Sequence, residues 1–302
     1  MPLRVLRSWM TATTSKRYAG LLFLFAANLI WSGSFPATAI AVSHMSAVFL
    51  TLVRLGVGAL LLTPFLKLPR GKRWDLRLVA LSFVLGVLGF ALPVYLETEG
   101  LYLSTPALAA IAIAMEPLFT VLIVAFATKE PLPFHRKLAI GLSLFGAWAI
   151  AGFPGPAGTG YAAGDALLVL AVVCYALYNV YSKYLSVRIT ATAATSATLW
   201  GGFFGTLPIW LATGGQAPHA LTGTAWIALA YLAVLATTGA YALWMLALKT
   251  VPVSVAALTL YFQPVFGVLL SILIVHTRPS PFFYLGAAMI LGSLYLGSRS
   301  RA

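Results

Sequence analysis

Acidic side chains are scarce in this sequence, six among 302 residues, and charged residues of either sign make up only 8% of it. Soluble domains carry roughly a quarter, so a solvated surface is excluded for most of the chain. Cysteine occurs once, as Cys174, which excludes an internal disulfide and a cysteine-based zinc site. The nucleotide-binding loop GxxxxGK[ST] is missing, and so are HExxH and GxSxG; the four histidines, His44, His135, His219 and His276, fall in or near separate connections. ATP-driven work by this chain alone is therefore unsupported, an integral membrane enzyme is a remote alternative, and neither a metal nor a cofactor is expected.

What is abundant is apolar: 61% of the residues are hydrophobic. A helix needs about 20 apolar residues to cross a hydrocarbon core of about 30 Å, so the length allows roughly ten crossings with short loops. Apolar runs between breakers predict an all-α polytopic membrane protein with helices near residues 19–40, 46–66, 77–100, 105–127, 136–152, 163–183, 193–212, 223–247, 252–275 and 282–298. The first run is about twice the length of a signal-peptide core, which argues for a retained span.

The basic excess, a net charge of +13, lies between these runs. With a cytoplasmic N-terminus, 17 of the 19 Lys and Arg fall in inside segments; Arg278 is in an outside loop and Arg54 lies within the second span. The positive-inside rule then fixes both termini in the cytoplasm. The charge thus reports topology, and nucleic-acid binding is not expected.

LAAIAIAMEPLFTVLIV (108–124) and VAALTLYFQPVFGVLLS (255–271), displaced by 147 residues, share an apolar run, then Glu-Pro or Gln-Pro, then x-Phe. GLYLSTPALAA (100–110) matches ALKTVPVSVAA (247–257), and LIWSGSF (29–35) less closely CYALYNV (174–180). Each half, 19–152 and 162–298, holds five expected spans. An odd number forces the second half to enter from the opposite side, the inverted-repeat plan of secondary transporters with a site near the midplane.

LIWSGSF, the Arg54 of TLVRLGVGALLL (51–62), GLYLSTPALAA and the paired MEPLF (115–119) and FQPVF (262–266) resemble the drug/metabolite transporter superfamily, in its EamA-type branch. The pattern is most similar to the bacterial amino-acid exporters, the aromatic-amino-acid group included. The resemblance implies an inner-membrane exporter with a central cavity formed by spans one, three, four, six, eight and nine, the other helices acting as supports.

Glu116 stands some twelve residues into the fourth span, about 18 Å deep at 1.5 Å per residue. A mid-span ionisable residue costs roughly 3 kcal/mol on the insertion scale and faces a cavity or a partner. Several readings stay open: Glu116 lines a cavity with its counterpart Gln263, where it meets substrate or carries a proton, or it pairs with Arg54 or hydrogen-bonds backbone freed by Pro117. Pro117 and Pro264 are expected to kink their helices at matching depths. Tyr175, Tyr178, Asn179 and Ser182 share one face of span six by i, i+3, i+4, i+7 spacing. Asn28 and Trp31 share a face of span one, as glue or as substrate contacts. Glu97 and Glu99 read as interfacial carboxylates or an acidic vestibule, and Arg54 as an anchor reaching the outer face before it is a substrate contact.

The candidate substrate contacts are Asn28, Trp31, Tyr95, Met115, Glu116, Tyr175, Tyr178, Asn179, Tyr241, Trp244, Tyr261 and Gln263. Gly33, Pro36, Pro93 and Gly239 are expected to permit bends. The expected function is export of amino acids or similar small metabolites by alternating access, with multidrug efflux as the alternative. The expected partners are a small-molecule substrate and the lipid bilayer, with no obligate protein partner.

Overall fold

The computed structural model describes residues 14–68, 73–103, 112–113, 115–129, 133–150, 162–215, 218, 221–263, 265–266, 269–270 and 281–298, and these are helical with short connections. The first half contributes α1 (Thr14–Val42), α2 (Ala47–Leu62), α3 (Leu76–Gly86), α4 (Leu92–Leu103), α5 (Glu116–Thr128) and α6 (Phe134–Ile150). The second contributes α7 (Ala162–Arg188), α8 (Ala191–Ala212), α9 (Gly223–Ala230), α10 (Ala240–Ala247), α11 (Val253–Thr259) and α12 (Pro281–Ser298). Among the described residues, five continuous stretches are long and apolar enough to cross a membrane: Lys16–Val42, Ala47–Phe65, Leu76–Gly100, Ala162–Arg188 and Gly223–Ala247.

Helix starts follow local chemistry. Ser46, Asp75, Thr190 and Thr222 each sit in extended backbone, and their side chains accept the N–H of the residue three positions on, Phe49, Leu78, Ala193 and Ala225. Each satisfies a donor that the first helical turn leaves without a partner. Hydroxyls within or just past a helix fold back similarly: Thr51, Thr63, Ser82 and Thr206 donate to the carbonyl four residues earlier. A hydroxyl satisfied within its own helix can sit in an apolar bundle at little cost.

Two helices are interrupted by π turns that composition did not reveal. Segment π1 (Val87–Ala91) joins α3 to α4, and π2 (Tyr231–Gly239) joins α9 to α10. Leu92 N–H reaches back five residues to Val87 O, and Ala240 N–H to Leu235 O. Displaced by 147 residues, Val87 falls on Val234 and Ala91 on Thr238, both inside π2. In the first half Pro93 follows the π turn, and a wider register there relieves the clash of its ring with the preceding carbonyls.

Close packing is made by small residues. A Cβ at Gly86 would collide with the backbone of Thr198 and Gly201–Gly202, and one at Gly201 with the backbone of Phe83, so α3 and α8 touch main chain to main chain. This is how helices associate where lipid removes the hydrophobic drive. Helices α6 and α12 meet through Gly146, which lies against Gly286 and Ile290, and through a hydrogen bond from Ser143 Oγ to Ser293 Oγ.

The expected kink at Pro117 takes a different form. Glu116 and Pro117 are the first two residues of α5, and Met115 before them lies in a turn closed by Met115 N–H to Ala112 O at 2.9 Å. Proline there lacks a donor that would be orphaned anyway. The matching stretch of the second half breaks as well: α11 ends at Thr259, and Leu260, Tyr261 and Gln263 each bond to the carbonyl three residues back. Pro264 lies outside the described residues.

Candidate functional site

At these two interruptions the bundle holds an open cavity of about 190 Å³. Ile113 and Glu116 line it from the α5 break, Leu260 and Gln263 from the break after α11. Each pair is related by the 147-residue displacement. Trp31 and Ser34 of α1, Glu97 of α4, Tyr175, Tyr178 and Asn179 of α7, and Tyr241 of α10 complete the wall with Arg54 of α2. A neighbouring lobe of about 100 Å³ shares Arg54, Tyr175 and Tyr241 and is bounded by Gly89 and Phe90 of π1 and Thr237 of π2.

Hydrogen bonds hold the polar groups at the wall. Asn179 Nδ2 donates to Glu116 Oε1 at 2.7 Å, and Tyr175 O–H to Glu97 Oε2 at 3.2 Å. Arg54 Nε donates to Thr237 Oγ1 at 3.0 Å. Glu116 is thus tied to α7, whereas Arg54 is tied to π2. On the other side Gln263 Nε2 donates to Asn28 Oδ1 at 3.2 Å, and Ser32 Oγ to the Gln263 carbonyl at 3.2 Å. Asn28 in turn donates to Leu24 O and to Thr259 Oγ1.

The π turns serve this site. Trp31 Nε1 donates to Ala236 O within π2 at 2.9 Å, and Tyr231 O–H donates to Ile30 O at 2.6 Å. Gly89 of π1 has the Tyr178 ring where a Cβ would stand. Aromatic rings then run in edge contact from Phe90 to Tyr241 at 4.7 Å and from Tyr241 to Trp31 at 5.0 Å, and Trp244 tilts against Trp31 at 5.8 Å. Such pairs add about 1 kcal/mol each beyond burial and give the cavity a stiff wall.

Of the candidates, Trp31, Glu116, Tyr175, Tyr178, Asn179, Tyr241 and Gln263 come together at the cavity. Asn28 is fully buried one hydrogen bond behind Gln263. Trp244 is buried behind Trp31, Tyr261 packs with Leu258, Val265 and Ile290, and Met115 packs with Ala112, Leu168 and Val172. Tyr95 is half-buried on α4 and does not belong to the wall. Glu97, six residues before the end of α4 at Leu103, lies on the cavity wall, which suits the vestibule reading of its carboxylate. Arg54 likewise faces the cavity, as does Ser34 of the LIWSGSF motif, and Phe90 had no sequence signal. The depth of Arg54 in an apolar run was such a signal.

Comparison with known proteins supplies the family. The model of the EamA-like transporter family matches residues 18–152 and again 162–299. The chain belongs to the EamA-like transporter family. A protein of Bacillus subtilis described as the uncharacterized transporter YdfC is 25% identical over 88% of this chain and 86% of its own. A protein of Streptantibioticus cattleyicolor described as a probable terminal-alkyne amino-acid exporter is 24% identical over 89% of this chain and 90% of its own. The biotin transporter of Escherichia coli K12 is 25% identical over 91% of this chain and 92% of its own. A crystal structure superposes with a TM-score of 0.79, covering 95% of this chain and 97% of that one at 20% identity, which shows a shared fold. EamA-like proteins are transporters, so this chain is a membrane transport protein.

Proposed function

We propose that this EamA-like protein exports amino acids or similar small zwitterionic metabolites across a bacterial cytoplasmic membrane by alternating access. The observation that carries the reading is the central cavity, where two carboxylates, one guanidinium and two amides converge between aromatic rings. Arg54 suits a substrate carboxylate, and Glu97 and Glu116 suit an ammonium group. Trp31, Tyr178 and Tyr241 form a wall for the side chain. Pockets of this kind use apolar walls with a few placed polar groups.

Ten spans in two inverted five-helix repeats, 19–152 and 162–298, complete the proposal. Support comes from the double match to one family model, the two interrupted helices, and the π turns related by the same displacement as Glu116 and Gln263. The distribution of Lys and Arg supports cytoplasmic termini. Paired interruptions beside a central site suit two halves that rock against each other.

An excess of one carboxylate over guanidinium at the wall also favours a second reading, efflux of amphipathic cations. Counterflow in proteoliposomes with labelled Phe, Thr, Met and biotin, set against a cationic dye, tests both. Preferential exchange of an amino acid supports the first reading. Dye transport without amino-acid exchange supports the second and rejects the first.

A further inference from the structure

A second cavity, larger than the central one at about 410 Å³, opens between α3 and the C-terminal end of α7. Arg77 stands at the start of α3 and Arg188 is the last residue of α7. Arg188 lies over the Tyr184 ring, its guanidinium carbon 3.7 Å from the centroid, so the side chain is held against the wall. Tyr181, Leu78 and Leu81 line the remainder with Asp75.

Three features fix the level of this cavity in a membrane. Asp75, the N-cap of α3, accepts the Leu78 N–H at 2.7 Å, so the helix begins here. Leu81 is five residues into α3, about 8 Å deeper at 1.5 Å per residue. Trp74 donates its indole N–H to Leu66 O beside the helix start, the position an interfacial aromatic takes. The surface around the opening is apolar: Leu76 is 83% exposed, and Val79 and Val187 are exposed as well. Arg77 and Arg188 thus stand at the helix ends, and Leu81 lies about one turn deeper along α3 than Arg77.

We propose that this cavity binds the phosphate of an anionic phospholipid, with Arg77 and Arg188 on the phosphate, Tyr184 holding Arg188, and Leu78 and Leu81 along the acyl chain. The lining carries two guanidiniums and one carboxylate, and guanidinium matches phosphate oxygens in a two-pronged geometry. Basic pockets between helix ends at the cytoplasmic surface attract anionic lipids by this combination of charge and depth. A soluble anion would share the charge but would leave Leu76, Val79 and the leucine floor uncovered.

The test uses the full chain in detergent, with lipid retention read by native mass spectrometry against phosphatidylglycerol and phosphatidylcholine. Phosphatidylglycerol is expected to be retained over phosphatidylcholine by roughly thirtyfold, as about 1 kcal/mol for each of the two arginines implies. Arg77→Gln with Arg188→Gln should remove the preference. The Arg77→Lys, Arg188→Lys pair, which keeps charge and loses the fork and the stacking, should lower it in part and guards against misfolding of the first pair. Lys16→Gln with Lys137→Gln removes two charges elsewhere and should leave the preference intact. Equal loss in that control, no preference in the unmodified protein, or displacement of the lipid by millimolar glycerol phosphate would each overturn the proposal.

Discussion

Asn179 links two elements through one side chain, because its amide donates to Glu116 Oε1 at 2.7 Å and approaches Thr120 Oγ1 at 3.4 Å. Asn179→Leu removes the donor and leaves a carboxylate in an apolar bundle, at a cost of about 1–3 kcal/mol. A lower thermal midpoint together with at least tenfold slower counterflow is expected. Gln263→Leu removes the donor to the buried Asn28 Oδ1 at the related position, which the bonds from Asn28 Nδ2 to Leu24 O and Thr259 Oγ1 do not replace, so it should cost about 1–3 kcal/mol of stability as well as change selectivity. Unchanged flux and selectivity in that variant would remove Gln263 from the site. Glu116 was legible in the sequence because a charge at mid-span has so few tolerable surroundings. Trp244 and Tyr261 were misleading for the complementary reason: an aromatic ring is equally at home in a core, and both are buried in one.

The π turns carry the element-scale argument. Segment π1 puts Gly89 against the Tyr178 ring, and π2 offers Ala236 O to Trp31 and Thr237 Oγ1 to Arg54. A side chain at Gly89 must push Tyr178 into the cavity. Gly89→Val is therefore expected to abolish counterflow, while the folded protein still purifies as a monodisperse species. Gly86→Leu, in contrast, should prevent α3 from seating on α8 and lower the thermal midpoint strongly, because the obstacle is backbone. Neither effect was legible from glycine in an apolar run, which marks close approach without saying to what. Pro93 and Gly239 were marked as bends, and π1 and π2 end beside them. The change of helical register itself depends on tertiary contacts that a single sequence does not display.

Across the whole molecule an internal repeat coincides with a pattern of basic residues between the apolar runs. The repeat was legible because Glu116-Pro117 and Gln263-Pro264 are rare pairs in an apolar setting. Much of the wall was not, because Arg54, Glu97 and Phe90 reach it from helices whose rotation depends on packing. The topology can be checked with single cysteines in a Cys174→Ala background, Cys174 being the one native thiol and buried. Cysteines at Lys129 and Lys249 should react with impermeant maleimide only from the cytoplasmic side, and one at Gly214 only from the outside; any reversal contradicts the inverted arrangement.

The central claim, that the cavity between the two broken helices holds a zwitterionic substrate, is met most directly by counterflow of labelled amino acids in proteoliposomes of unmodified, Arg54→Gln and Glu116→Gln protein. The account predicts exchange of an amino acid by the unmodified protein. Each variant should reduce it at least tenfold, Arg54→Gln sparing substrates whose carboxylate is esterified and Glu116→Gln sparing those whose amine is removed. Full exchange in both variants, or losses indifferent to which end of the substrate is masked, would contradict it.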